Sequence, residues 1–384
     1  MAMVRSSCGG PHDDPASPII PFVHVQARGS YRELGRAVGE AAREQVLASV
    51  DFFRAEFPAL TGGRLTFEEA ERRAPAFAEH ARRWLPQYVD ELEGLAEGSG
   101  VPFSQLLVLN CGEEFTSGEP LAPVQGHTPH SGDHCTAVAV VMDGRHIVGH
   151  NMDWYVIDAV NNVLFDFTVP DGTRIMGLAG APYLLMLGMN SHGIGNVSNS
   201  VHSTDNRVGV PNVFVRRSTL EARTLEDARD LGLLPDRARG TNQFLADTAG
   251  RLWDVETSAT AHALVDHTLA GFMAHSNHYV SPAMQPHEGY GGGESEVRLS
   301  TAERLLAEGL AAGGDPVGLA ASVLRTHEPS PDECICGHPD SGKPAADQGM
   351  TVGSIICDLD ERRLYACAGP PCENAYQVFE MGER

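Results

Sequence analysis

Lysine is almost missing from this chain: Lys343 stands alone, and arginine carries nearly all of the positive charge. With 51 acidic against 28 basic residues the formal net charge is −23. A chain so poor in cations has no broad basic face for a phosphate backbone or an anionic bilayer, which excludes nucleic acid and membrane as partners. Long apolar runs are missing as well, none approaching the ~20 residues that cross a bilayer. The opening stretch MAMVRSSCGGPHDDPASPII puts glycine, proline and acids where a secretory signal needs an apolar core, so a cytoplasmic location is expected. Cysteine is too sparse for a disulfide scaffold, eight in 384 residues. Each thiol is therefore weighed as core, metal ligand or nucleophile.

What is present falls into two styles. The first third has helical periodicity. Ser30 and Glu33 form a capping-box pattern, followed by Leu34, Val38, Ala41, Val46, Val50 and Phe53 at helical spacing. Thr66 and Glu69 open another helical stretch, which Pro75 and Pro86 are expected to interrupt. Tyr88, Leu92 and Leu95 line one face before Gly98 and Gly100, and VPFSQLLVLNCGEEF resumes a short apolar helix. Thr116 to His134 is glycine- and proline-punctuated and poor in large apolar residues, hence an exposed loop.

From Cys135 the period becomes that of strands. CTAVAVVM, an Asp143-Gly144 turn and RHIVGHNM make a hairpin, and NVLFDFTV, Pro170-Asp171-Gly172 and TRIMGLAG repeat it. Further strands are expected at YLLMLGMN, GIGNVSNSV, NQFLADT, RLWDVET, HALVD, FMAHSNH, MTVGSIICDL and RRLYACAG, with helices near Val213 to Leu231 and over STAERLLAEGLA. The expected fold class is α+β, a helical N-terminal segment on mainly antiparallel, layered sheets.

A cysteine at the head of a strand, preceded by an expendable loop, is where an N-terminal nucleophile would arise. Cutting the His134-Cys135 bond would give Cys135 both a thiol and an α-amine of pKa about 7.7–8, a nucleophile and a proton acceptor in one residue. Alone, such a cysteine is usually core. Its neighbours change the balance: Cys135, Thr136, the Asp143-Gly144 turn, Gly149, Asn151, Asp153 and Trp154. This run resembles the acyl-coenzyme A:isopenicillin N acyltransferase-like family of N-terminal nucleophile hydrolases (peptidase C45 type). GSYRELGRAVGEAAREQV, GMNSHGIGNVSNSVH, the HSNH at 275–278, SEVRLSTAERL and GMTVGSIICDLDERRLYACAGPP resemble other parts of that family, covering nearly the whole chain from about Ile19.

The resemblance implies a four-layer αββα sandwich, made as a precursor and cut before Cys135. Residues 1–18 would be a disordered tail, 19–134 a helical subunit and 135–384 the catalytic subunit. It implies Cys135 as nucleophile, with His134 and Cys135 at the processed bond, Asp153 as its orienter, and Asn277 as an oxyanion donor. Asn151, Trp154, Asn199, His202 and Arg298 would be pocket or supporting residues. The residue before the cysteine is usually glycine in that family and is His134 here. Gly337 and Gln348 stand where the penicillin-pathway members carry arginine, so their substrate recognition does not carry over. No cofactor is implied. The expected partners are a small N-acyl amine and the cleaved N-terminal fragment, with a homo-oligomer left open.

Three other readings compete. Acyl-coenzyme A-dependent transfer and a Cys-His hydrolase without self-cleavage use the same thiol, and a scaffold lacking chemistry would not need these residues together. Cys334-x-Cys336-x-His338 suggests zinc, but it is one compact cluster whose fourth ligand would have to be Cys367, Cys372 or a histidine, so no metal is expected.

Overall fold

A computed structural model describes residues 18–116, 135–289, 293–330 and 333–382. The expected tail, the loop before Cys135 and His134 itself therefore lie outside the described residues. The first part forms strand β1 (Val23–Arg28) and helices α1 (Tyr31–Ala41), α2 (Arg43–Leu60), α3 (Phe67–Trp84), α4 (Pro86–Ser99), α5 (Phe103–Asn110) and α6 (Gly112–Thr116). Both capping boxes close, Ser30 with Glu33 and Thr66 with Glu69. Pro75 does not interrupt α3: the buried Ala70, Ala74, Phe77, Ala78 and Ala81 hold the helix on the core through it. Pro86 opens α4, where a missing N–H costs nothing.

The second part contributes β2 (Thr136–Met142), β3 (Arg145–Tyr155), β4 (Asn162–Thr168), β5 (Arg174–Gly180), β6 (Gly188–Asn190) and β7 (Ile194–Ser200), then α7 (Asn212–Thr219) and α8 (Leu225–Gly232). There follow β8 (Thr241–Asp247), β9 (Leu252–Thr257), β10 (His262–Asp266), β11 (Phe272–His275), α9 (Glu294–Ala312), α10 (Pro316–Leu324), β12 (Gly349–Asp358), β13 (Arg363–Ala368) and β14 (Gln377–Glu380). The strand expected from Tyr183 is confined to Gly188–Asn190, and the helix expected near Val213 to Leu231 is two helices.

One sheet has eight strands in the order β1-β4-β5-β6-β7-β8-β9-β10, the other six in the order β11-β2-β3-β12-β13-β14. All pairings are antiparallel except β1 with β4. Leu164, Leu178, Val197 and Phe244 of the larger sheet pack on Ala137, Val148, Ile355 and Ala366 of the smaller. Outside, Val163, Phe165, Phe167 and Ile175 pack on the N-terminal helices. On the far side Val138, Val140 and Ile356 pack on α9 and α10 through Leu306, Val317 and Leu324. The order helix, sheet, sheet, helix is the αββα sandwich. Among the described residues no helix is long and apolar enough to cross a membrane.

Within the N-terminal layer α1 and α4 approach through glycines. A Cβ on Gly35 would lie 1.7 Å from the Glu91 carbonyl oxygen, and one on Gly94 would lie 2.0 Å from that of Arg32. Backbone cannot yield as a side chain can, so Gly94→Ala is expected to lower the unfolding free energy by at least about 2 kcal/mol, read from urea denaturation. An unchanged midpoint would mean the two helices part at no cost.

Candidate active site

Asp143 (φ 52) and Gly144 (φ 75) both take the left-handed conformation of a tight hairpin turn, which fixes the register of β2 on β3. Thr136 pairs with Asn151, so the return strand delivers Asp153 beside Cys135, the residue preceding β2. The Cys135 Sγ lies 3.7 Å from the Asp153 carbonyl oxygen, and both residues are buried. Asp153 pairs across to Thr351 of β12, where the register shifts between Thr351 and Gly353. Such a bulge re-aims side chains beside a site.

Arg298 of α9 is fully buried behind this corner. Its Nη1 donates to the Cys135 carbonyl oxygen at 2.7 Å and to Thr136 Oγ1 at 3.2 Å, while Nη2 donates to Asn277 Oδ1 at 3.0 Å. A guanidinium only donates, so it fixes the orientation of the Asn277 amide. Asn277 Nδ2 gives a proton to the Ser200 carbonyl at 2.9 Å, and the backbone N–H of Asn277 donates to Ser295 Oγ at 2.7 Å.

A cavity of about 50 Å³ opens on Cys135, walled by Met152, Trp154, Tyr183, Leu187 and Val213. Its polar lining includes Asp153, His150, Glu113 and Arg216. Arg216 donates to Ser198 Oγ at 2.5 Å and to the Ser198 carbonyl at 2.9 Å. Glu113 receives the Ser200 hydroxyl and Arg216 on Oε1, and Asn212 Nδ2 (2.6 Å) and Arg239 on Oε2. Four donors fill the lone pairs of its two oxygens.

Burial raises the Asp153 carboxyl to about 7, against the opposing pull of the Thr351 hydroxyl and the Arg298 charge. His150, in the same wall, is driven the other way: burial lowers it to about 3, and its Nε2 faces Asn199 Oδ1 at 3.1 Å. It is a neutral imidazole at physiological pH.

The structure thus brings Cys135, Asp153 and Trp154 to one cavity and attaches Asn277 and Arg298 through the Cys135 carbonyl. Three expected pocket residues have other tasks. Asn151 points away, donating to the carbonyls of Leu324 (2.8 Å) and Ile335 (3.0 Å), because its strand position faces the α10 layer. Asn199 sits between the sheets, bonded to His150 and Asn242. His202 follows β7, outside the cavity wall, and its carbonyl accepts from Gly289 at 2.7 Å. Glu113, His150, Tyr183 and Arg216 were missed. For Glu113 and Arg216 the only sequence signal is an acid or a cation inside an otherwise apolar helix, as in NCGEEF and NVFVRRS; His150 on β3 and Tyr183 between β5 and β6 carry none.

The corner thus holds a buried thiol just before the second strand of an αββα sandwich, with a carboxyl raised toward neutrality beside it. The chain matches the family described as "Acyl-coenzyme A:6-aminopenicillanic acid acyl-transferase" over residues 141–333, half of its length, and it belongs to that family. It is accordingly an enzyme acting on C–N bonds. It is 23% identical over 364 residues, 94% of this chain and 96% of the relative, to the "Acyl-coenzyme A:6-aminopenicillanic-acid-acyltransferase 40 kDa form" of Emericella nidulans. It is 27% identical over 191 residues, 45% of this chain and 48% of the relative, to the "Beta-alanyl-dopamine/carcinine hydrolase" of Drosophila melanogaster. Among solved structures it is similar to penicillin V acylase from Agrobacterium tumefaciens, with TM-score 0.45 and 15% identity over 61% of this chain and 82% of that one. A conjugated bile acid hydrolase from Clostridium perfringens follows with TM-score 0.36 and 13% identity over 64% of this chain and 97% of that one.

The Asp153 carboxyl has a consequence for stability. Folding raises it from 3.8 to about 7, so its contribution is complete below pH 3.8 and is lost as the pH rises through about 7. Asp153→Asn is expected to match the wild type in stability at pH 4 and to exceed it at pH 8 by about 2–4 kcal/mol. Denaturant titrations at the two pH values check this; equal differences at both would mean that Asp153 titrates as an ordinary carboxylate.

Proposed function

We propose that this enzyme is an N-terminal cysteine amidohydrolase, activated by cutting its own chain between His134 and Cys135, that cleaves the amide of a small N-acylated metabolite through a thioester on Cys135. The observation that carries the reading is the Cys135 thiol, seated at the cavity while its own carbonyl is held by Arg298.

In the precursor, the sulfur attacks the His134 carbonyl carbon. The C–N bond breaks toward Cys135, whose nitrogen becomes a free amine, and water resolves the thioester. In the mature enzyme the α-amine, of pKa about 7.7–8, takes the thiol proton as the sulfur attacks the substrate amide. The tetrahedral oxyanion is met by the second Nδ2 proton of Asn277, the first being held by Ser200. The α-ammonium then protonates the leaving amine, and water releases the acid. A neutral carboxyl at Asp153 would keep a second full negative charge away from that oxyanion.

The weak basicity of His150, lowered to about 3, and its bond to Asn199 argue for the α-amine as base over a His150–Cys135 pair. The cavity suits an acyl group of a few atoms, and the filled lone pairs of Glu113 favour an uncharged one. A net charge of −23 disfavours the phosphates of an acyl-coenzyme A donor and suits an amine product, which places hydrolysis ahead of transfer. Transfer to a small amine remains the second reading, because the relatives include an acyltransferase as well as a hydrolase.

Intact-mass analysis of wild type and Cys135→Ala is the test. The wild type is expected as two fragments, the second beginning at Cys135, and the variant as one full-length chain without activity on a panel of N-acyl amines. A Cys135→Ala chain that still splits sinks the reading. Asn277→Ala is expected to lower kcat by about 10²–10³ with KM little changed. A drop confined to KM would remove Asn277 from the oxyanion.

A further inference from the structure

We propose that His327, Cys336, His338 and Cys372 form a structural zinc site that braces the loop lying against Asp153. The four donor atoms lie within 4.8 Å of one another. His327 Nε2 and His338 Nε2 face each other at 3.0 Å, and Cys372 Sγ lies 3.2 Å from the same His338 nitrogen. That nitrogen carries either one lone pair or one proton, yet two groups converge on it. A shared cation satisfies all of them at once.

Two thiolates and two imidazoles are a preferred tetrahedral zinc set. With Zn–S about 2.3 Å and Zn–N about 2.0–2.1 Å, tetrahedral ligands stand roughly 3.3–3.8 Å apart, between the 3.0 and 3.2 Å of the two close pairs here and the 4.8 Å within which all four donors lie. His338 is also supported from behind, its Nδ1 lying 3.5 Å from Glu373 Oε1. A carboxylate on the distal nitrogen orients a ligating histidine and raises its basicity. Cys336 is buried while His327 and His338 are exposed, which leaves a path for the ion.

The ligand set differs from the one the spacing of Cys334, Cys336 and His338 suggested. Cys334 turns away, its Sγ donating to the Cys336 carbonyl at 3.1 Å. His327 from the end of α10 and Cys372 from the turn after β13 take the remaining places. With four protein ligands there is no open position, so the ion is structural. Its place is informative: Cys336 and His338 flank Gly337, whose N–H donates to Thr351 Oγ1 at 2.9 Å and whose carbonyl accepts from the Thr351 N–H at 3.1 Å. Thr351 is the cross-strand partner of Asp153. Zinc would pin this segment to the β13 turn and hold the floor under the carboxyl.

The full chain, made without a histidine tag in zinc-supplemented medium, is analysed for metal by mass spectrometry. One zinc per chain is expected in the wild type and in Cys334→Ser, and none in Cys372→Ser. Should Cys372→Ser fold poorly, cobalt substitution of the wild type gives an independent reading: intense visible bands of a tetrahedral thiolate complex are expected. Chelation is expected to lower the wild-type melting midpoint. A zinc-free wild type, a weak octahedral cobalt spectrum, zinc retained in Cys372→Ser, or an intact mass two hydrogens lighter, marking a Cys336–Cys372 disulfide, each overturns the proposal.

Discussion

The guanidinium of Arg298 is the constraint on which the active corner depends. An arginine with no exposed surface is costly unless its donors are met, and here the two terminal nitrogens are met by the Cys135 carbonyl, the Thr136 hydroxyl and the Asn277 amide oxygen. Three elements that share no local sequence, α9, the head of β2 and the turn after β11, are thereby joined at one group. The anchor grips the carbonyl of Cys135, so the residue is tied down from its C-terminal side.

Around that anchor the space between the sheets is unusually polar. His150 bonds to Asn199, and beside them the His275 ring is held between the Ser276 carbonyl and Glu256, whose carboxylate also accepts from the backbone of Val280 and Ser281. Burial opposes a charge on His275, but the nearby Asp254 and Glu256 carboxyls outweigh it and raise its pKa. A buried ring held this way ties β11 to β9, and Asn277, two residues beyond His275, inherits the rigidity. This polar layer and the Arg298 clamp together fix Cys135 and Asn277 relative to each other.

What the sequence revealed about this corner follows from how far each signal reaches. An Asp-Gly turn sets hairpin register locally, which is why the return of Asp153 to Cys135 was legible. The capping boxes at Ser30 and Thr66 were legible for the same reason. Burial against distant elements was not: Pro75 is carried through α3 by core contacts, and Asn151 serves the backbone near α10 although its neighbours on the strand line the site. Strand β1 escaped notice because its parallel partner β4 is well over a hundred residues away, and Glu113 and Arg216 because helical periodicity cannot say which side of a helix meets a cavity. The Cys336 cluster was visible, but its partner Cys372 comes from 36 residues further on, a closure only the fold supplies.

The layering also bears on what a cut before Cys135 would leave behind. β1 is hydrogen-bonded to β4 along its whole length, so the N-terminal part supplies an edge strand of the larger sheet. Leu34, Phe53, Phe57 and Phe77 share one apolar core with Phe165, Phe167 and Phe214 of the later part. Arg217 of α7, fully buried, pairs with Glu91 of α4 at 3.0 Å and lies over the Tyr88 ring at 4.8 Å. Separating the two parts would take Glu91 from Arg217, leaving it only Glu221 at 2.8 Å, and would expose the shared core. These contacts join the two parts independently of the backbone bond before Cys135, as the proposed cut would require.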